Sequence, residues 1–546
     1  MPLDDALRDI AQRFTALDWA VIVAYLALTT VLGALLAGRQ ATIRDFFLGG
    51  RTLPWPAVCG SIIATELSAA TFLIAPAIVF MPSGNLTYLQ LAIGTILARF
   101  VIGYLFIPAY YAREIYSPYD YMGERLGERV KNITTALFMV GAVLAQGARV
   151  YIAALALQVV TGADIAFSVI VIGAISILWT WMGGIRTVIW TDVVQFGLFT
   201  VGAVVALVFI GRAVDGGLAE VFRASYSAGK LKLINTSIKP NEAFTLWCGL
   251  FATGWLTLAS HGTDQMMAQR MFTCRGPVEA RKAIVWSSAS QLLTVVLLLV
   301  GAGLWVYYQH HPLDAVRQLV VDDNRNRIFA VFIVDVLPPG VSGLVMAGIF
   351  AAAISTLDSV LAALAQSTLA TVYKPLRKRP TTPRHDVVVS RVFVVLWGIA
   401  MTVFAVFCNA LQKHYGDLIQ FALAMAAYTY GALLGTLLLA LLPTRRDDLG
   451  LIWGVPLSML TVFALAWSGP VAWWVIFVGV SILVGTAAWR LRKQVLKFAC
   501  VAAFAGGVLC IPFNVTLAWP WHYPIGTAVT FVVGFLVGNR RDASYK

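Results

Sequence analysis

Between Ala351 and Leu364 the sequence AAAISTLDSVLAAL places Ser355, Thr356, Asp358 and Ser359 within five positions of an otherwise apolar run. On a helix, Ala352, Ser355 and Ser359 share one face, flanked by Thr356 and Asp358. Their oxygens are hard ligands, neutral or anionic, of the kind that suits an alkali cation which sheds its water and later leaves. A single hydroxyl here would be read as bonding back to the preceding turn. Four polar side chains together ask for more, because polar groups are costly inside an apolar phase. The other ionisable residues within apolar runs are Glu66, Arg99, Arg149, Asp192 and Asp264.

The readings these residues carry differ. Asp192, in GGIRTVIWTDVVQ, is either paired with Arg186 or a lysine, or it is a cation ligand or a charge that tunes one. Arg149, in LAQGARVYIAALAL, either recognises a carboxylate or phosphate through its planar fork, or it pairs with Glu66 or Asp192, or snorkels. Glu66 could strengthen a cation site, take up a proton, or neutralise Arg149. Asp264 and Gln265, in SHGTDQMMAQRMF with His261 and Arg270, read as structural groups at an inner gate. Arg99 reads as paired or snorkelling.

The elements that must position these residues are membrane helices. The chain has 546 residues, of which 59% are hydrophobic and 12% charged, against about 25% charged in an average soluble domain. Apolar runs of about 20 residues are long enough to cross a bilayer. About 15 spans are expected, near 17–38, 54–80, 86–110, 132–160, 165–182, 187–212, 243–265, 283–308, 338–372, 386–410, 417–443, 450–468, 470–490, 496–512 and 517–538. This composition excludes a soluble enzyme. The net charge of +13 is explained by basic inside loops, such as YKPLRKRPTTPRH at 373–385, and not by nucleic acid. With the N-terminus outside, about 26 Lys and Arg fall in inside loops and about 11 outside, which favours N-out, C-in. No secretory leader is expected before the first span. The six cysteines, Cys59, Cys248, Cys274, Cys408, Cys500 and Cys510, lack metal-ligand spacing and read as packing residues.

Two spans look interrupted. Polar residues crowd the middle of the second, in SIIATELSAATF, and the seventh ends in ASHGTDQ. Broken helices are how many secondary transporters expose carbonyls and helix ends at the midplane. The interruptions lie five spans apart, which suggests two five-helix halves of inverted topology. The expected layout is 1–53 as tail and first helix, 54–212 as the first repeat and 213–242 as an outside loop. The second repeat follows at 243–443, with extra helices at 444–546.

Five stretches carry a resemblance to the sodium:solute symporter family of sugar, proline, sialic acid, iodide and multivitamin carriers. They are DFFLGGRTLPWPAVCGSIIATELSAATFL at 45–73, NLTYLQLAIG at 85–94, GGIRTVIWTDVVQ at 183–195, HGTDQMMAQRMFTCRGPVEARKA at 261–283 and GLVMAGIFAAAISTLDSVL at 343–361. The resemblance implies an all-α, LeuT-type 5+5 inverted-repeat bundle working by alternating access. It implies sodium as the coupling ion, with no organic cofactor. The main sodium ligands would be the carbonyls of Ala64, Leu67 and Ala352 and the hydroxyls of Ser355 and Thr356, a pair most like that of the proline carriers. A second sodium, as in some relatives, maps onto Asp192, Ser355, Asp358 and Ser359, where Asp358 replaces a hydroxyl of the sialic acid carriers.

Substrate positions map onto Ser68, Thr71, Gln90 and Arg149, and the sialic acid carriers hold a carboxylate with the equivalent of Arg149; Glu66 departs from the family pattern and is a further substrate candidate, as a carboxylate within reach of the same cavity. Ala70 and Thr71 do not reproduce the sugar-binding groups of the galactose carriers. The resemblance therefore points to a non-enzymatic importer of a small organic anion, with a sugar, polyol or amino acid, or proton coupling through Glu66 or Asp358, as alternatives. A bacterial-type inner membrane is the expected location and a monomer or loose oligomer the expected state. A transporter-like sensor is not expected, since only GNRRDASYK follows Val537.

Overall fold

In the computed structural model, residues 3–36, 48–113, 115–182, 185–321, 324–377, 381–411, 418–443, 447–466 and 517–538 are described. The chain is nearly all helical. In order, the main helices are α1 (Ala16–Leu36), α2 (Trp55–Glu66), α3 (Ala69–Phe80), α4 (Leu86–Tyr111), α5 (Glu128–Thr161) and α6 (Ile165–Met182). Then come α7 (Ile185–Ala213), α8 (Gly217–Ser227), α9 (Leu246–Phe251), α10 (Thr253–Gly262), α11 (Gln265–Phe272) and α12 (Pro277–His310). The last are α13 (Ile328–Val336), α14 (Val341–Thr368), α15 (Pro383–Leu411), α16 (Leu418–Leu441), α17 (Leu449–Ala466) and α18 (His522–Val537). Among the described residues ten helices are long and apolar enough to span a membrane, and the bent pair α2–α3 makes eleven. The apolar helix Ile165–Trp181 is shorter. The expected spans at 470–490 and 496–512, with Cys500 and Cys510, lie outside the described residues.

The second span is broken where its polar residues crowd. Leu67 leaves the helix with φ −83° and ψ 68°, Ser68 is extended, and the two halves bend by 57°. Leu67 N–H still donates to the Ile63 carbonyl at 2.9 Å. The turn that follows stops the ladder there, so the Ala64 carbonyl is the first beyond it, among the end carbonyls a helix cannot satisfy internally. The seventh span departs from expectation. It divides at Ala252 into α9 and α10, besides ending at Thr263–Asp264. The Thr253 hydroxyl donates to the Cys248 carbonyl at 3.0 Å, and Ala252 N–H donates to the same oxygen. A side chain competing for a ladder carbonyl is a recognised cause of a helix break.

The residues form two compact units. The first contains 1–89, 142–234 and 269–422. Here α7 packs on α2 and α14, α12 on α3 and α7, and α15 on α6 and α14. Its centre is α14, almost wholly buried along 28 residues. The N-terminal helix α1 docks on the start of α14 through one carboxylate. Asp18 Oδ1 accepts Gly340 N–H at 2.7 Å, Gly343 N–H at 2.9 Å and the Ser342 hydroxyl at 2.6 Å, an anion placed at a helix N-terminus. Gly343 is needed for that approach, since a Cβ there would lie 2.6 Å from Asp18 Cα.

The second unit contains 90–141, 235–268 and 423–546. In it α4 packs on α9 and α10, and α17 on α18. Cys59, Cys248, Cys274 and Cys408 are buried, and no two of them form a disulfide.

Candidate functional site

The break between α2 and α3 faces α14 within the first unit, and both carry the residues the sequence singles out. Ala64, Leu67, Ala352, Ser355 and Thr356 are all buried. Two of their hydroxyl protons are committed. Thr356 Oγ1 donates to the Ala352 carbonyl at 2.9 Å, and Ser355 Oγ donates to Asp192 Oδ1. A hydroxyl keeps its acceptor lone pairs after donating, so these oxygens remain able to meet a cation.

Asp192 on α7 is fully buried, and its partner is Arg270, not Arg186, which is exposed. Arg270 Nη2 lies 3.0 Å from Asp192 Oδ2, with both side chains 0% exposed. The same guanidinium donates from Nε to Ser61 Oγ at 2.9 Å and from Nη2 to Ser359 Oγ. Ser61 in turn donates to Asp192 Oδ2 at 2.5 Å, and Ser359 to the Ser355 carbonyl at 2.8 Å. Asp358 accepts the Thr180 hydroxyl at 2.9 Å. Asp192, Ser355 and Ser359 are thus brought into one cluster, while Asp358 is engaged by α6.

Of the residues expected to meet a solute, Ser68 and Arg149 share a cavity with Thr356. Its lining also includes Ala69, Gln146, Val150, Ala353 and Leu357. Its free volume of about 10 Å³ holds roughly one water, so an organic solute enters only when this region opens. Arg149 is half-buried and pairs with neither Glu66 nor Asp192. Its hydrogen-bond contact is Gln146 Oε1 at 3.5 Å. Glu66 and Thr71 are half-buried and do not line this cavity. Gln90 belongs to the second unit, where its amide donates to the Phe244 carbonyl at 3.2 Å and accepts Asn235 N–H at 3.1 Å.

Asp264 and Gln265 hold structure, as their position in the sequence suggests. Asp264 accepts Met266 N–H at 2.8 Å and the Tyr430 hydroxyl at 2.6 Å, and Gln265 donates to the Tyr116 carbonyl at 2.9 Å. Arg99 is wholly buried, so it does not snorkel to an interface.

Sequence reasoning missed Ser61, Gln146, Thr180 and the role of Arg270. Gln146 had a signal, three residues before Arg149 on the same helix face. The Arg270–Asp192 pair spans 78 residues of sequence, and no local pattern announces it.

A broken helix facing buried hydroxyls, on a many-spanned helical bundle, is the arrangement many secondary transporters use. Residues 46–457 match the sodium:solute symporter family, and the chain belongs to that family. It is 28% identical over 459 residues to the sodium/sialic acid symporter SiaT of Proteus mirabilis, covering 83% of this chain and 90% of that protein. It is 28% identical over 480 residues to the sodium-coupled monocarboxylate transporter 1 of Mus musculus, covering 85% and 75%. The fold is similar to that of a substrate-bound, outward-open sodium-coupled sialic acid symporter, with a TM-score of 0.77, 23% identity and 97% and 100% coverage. The chain is therefore a multi-pass sodium-coupled symporter of the LeuT fold and not an enzyme.

Proposed function

We propose that the chain imports a small organic anion together with sodium, and that Arg149 holds the anion's carboxylate. The observation that carries this reading is the state of Arg149. It is a half-buried guanidinium with one hydrogen-bond contact among the described residues, at 3.5 Å, beside the same cavity as Ser68 and Thr356. A planar fork with no carboxylate partner among the described residues is suited to take one from a ligand. The similarity to sialic acid and monocarboxylate symporters supports the same substrate class.

Sodium would bind at the break, on the carbonyls of Ala64, Leu67 and Ala352 and the hydroxyls of Ser355 and Thr356. Asp192, Ser355, Asp358 and Ser359 are the set for any second sodium. Glu66, Ser68, Thr71 and Gln90 complete the substrate positions. On this reading 54–212 and 243–443 are the two inverted repeats, and the chain lies in a bacterial-type inner membrane with the N-terminus outside and the C-terminus inside. The membrane potential then drives uptake, at about 2.3 kcal/mol per charge per 100 mV.

The test is thermal unfolding of the purified chain with carboxylates, sugars and amino acids, in sodium or in potassium. Ligands that bind the folded state raise its apparent stability. The expected result is a carboxylate that stabilises only in sodium and no longer does so in Arg149→Ala. A sugar or polyol hit that survives Arg149→Ala overturns the anion reading. A hit indifferent to sodium turns the assignment to proton coupling through Glu66 or Asp358.

A further inference from the structure

We infer that Arg270 is a positioning residue of the main sodium site, acting through Asp192 on the hydroxyl proton of Ser355; this rests on the sodium assignment proposed above. A serine hydroxyl has one proton and two lone pairs. Where the proton points decides whether the oxygen can serve a cation. In this structure the Ser355 proton goes to Asp192 Oδ1, which leaves the lone pairs free to turn toward an ion. The direction of that proton depends on where the carboxylate sits, and the carboxylate is held by Arg270.

The hold is built from several sides. Arg270 Nη2 grips Asp192 Oδ2 at 3.0 Å. Its Nε reaches Ser61 Oγ at 2.9 Å, and Ser61 donates onward to the same carboxylate oxygen. Its Nη2 also reaches Ser359 Oγ, whose proton is fixed on the Ser355 carbonyl. Ser61 lies on α2, which ends at Ala64 and the break. Ser355 and Ser359 lie on α14, which supplies the hydroxyls. One guanidinium therefore ties together the two helices that must present oxygens to a single ion. Outer partners of this kind orient the groups that touch a metal and tune its affinity. The pair is also neutral as a whole, so Asp192 polarises Ser355 without leaving a net charge in the cluster. A sodium at the Asp192–Ser355–Asp358–Ser359 set would first have to displace Arg270 from Asp192 and Ser359.

The experiment is a sodium titration of the full-length purified chain without solute, read as the unfolding temperature at constant ionic strength with potassium as the counter-titrant. Arg270→Lys keeps the charge and loses the fork. It should raise the half-saturating sodium concentration roughly 5- to 20-fold, tenfold being 1.4 kcal/mol. Ser61→Ala leaves the ion pair intact, so it reports even where Arg270→Lys does not fold, and should raise the same concentration about 2- to 5-fold. In a Ser355→Ala background, whose sodium response is already weakened, Ser61→Ala should change it less than about twofold, since the path through Ser355 is gone; such non-additivity is the mark of coupling.

Wild-type sodium midpoints in Arg270→Lys and Ser61→Ala overturn the inference. So does an equal factor with and without Ser355. Loss of the sodium response in Ser355→Ala while Arg270→Lys keeps it sinks this inference alone. A wild-type chain with no sodium-specific stabilisation, or an unaffected Ser355→Ala, sinks the sodium assignment itself.

Discussion

Arg270 and Arg149 are two cations inside the same compact unit, and their surroundings are opposite. Arg270 is 0% exposed, paired with a carboxylate and hydrogen-bonded to two serines. Arg149 is half-buried, and among the described residues its one hydrogen-bond contact is at 3.5 Å. Lys230 stands between them. It is buried with no carboxylate partner among the described residues, and its ammonium donates to the carbonyls of Val79 at 3.0 Å, Met81 and Pro82 at 3.2 Å, with the Trp305 ring 5.2 Å away. The three form a gradient, from a charge fully answered by charge, to one answered by dipoles, to one left open. The gradient separates cations that hold the fold from one that is available to a ligand.

Arg270 should show the largest effect on stability. Arg270→Met leaves Asp192 as an uncompensated buried charge, which costs about 3–5 kcal/mol. The double variant Arg270→Met/Asp192→Asn should recover more than half of that, because replacing both members of a buried pair is often close to neutral. Unfolding of the purified variants by heat or denaturant measures both. If Arg270→Met were no more damaging than Arg149→Ala, the distinction between the two arginines would collapse.

The sequence made the outer parts of this picture legible. Runs of apolar residues locate the helices, because a bilayer demands about 20 such residues for each crossing. The break at Leu67–Ser68 was legible too, since Thr65, Glu66 and Ser68 crowd a place where lipid tolerates few polar groups. The break at Ala252 was not. It depends on one threonine hydroxyl reaching a nearby carbonyl, and TLWCGLFATGW carries no Pro and no charge to mark it. Asp192 looked ready for Arg186, six residues earlier, but charges on one helix pair only when they share a face and an environment. Arg186 points out to the exterior of the unit, and a residue 78 positions away takes the buried carboxylate. Motif likeness sets Gln90 among the substrate positions, and the hydrogen bonds of its amide to Phe244 and Asn235 could not be read from the sequence.

Lys230 comes next in size. Lys230→Met leaves the carbonyls at the end of α3 without their donor, at a cost of about 1–3 kcal/mol. Its dependence on pH is specific. Burial lowers the Lys230 pKa from its ordinary 10.5 to about 8. Between these values the unfolded chain holds a proton that the folded chain has released. The contribution of this group to stability therefore increases as pH rises from about 8 toward 10.5, and is at its least favourable below 8. The unfolding temperature of wild type measured against Lys230→Met across pH 7 to 10 should show that relative gain. A difference that stays flat with pH would place Lys230 with Arg270, as a cation whose charge is fully compensated.

Arg149 should show the smallest effect on the fold and the most selective effect on binding. Its lone contact is long, so Arg149→Ala should change the unfolding free energy by less than about 1 kcal/mol. Against a carboxylate ligand the same change should weaken binding about 30-fold or more, since truncating one side of a buried, hydrogen-bonded charge pair costs about 2–5 kcal/mol and 1.4 kcal/mol is tenfold. Arg149→Lys should fall between, because an ammonium keeps the attraction but cannot form two parallel bonds. Gln146→Ala separates the alternatives further. If Gln146 only parks the guanidinium, its removal leaves carboxylate affinity within about threefold of wild type. If the two side chains receive the solute together, Gln146→Ala and Arg149→Ala lose affinity non-additively, and the open end of the gradient is a two-residue receptor in place of a single cation.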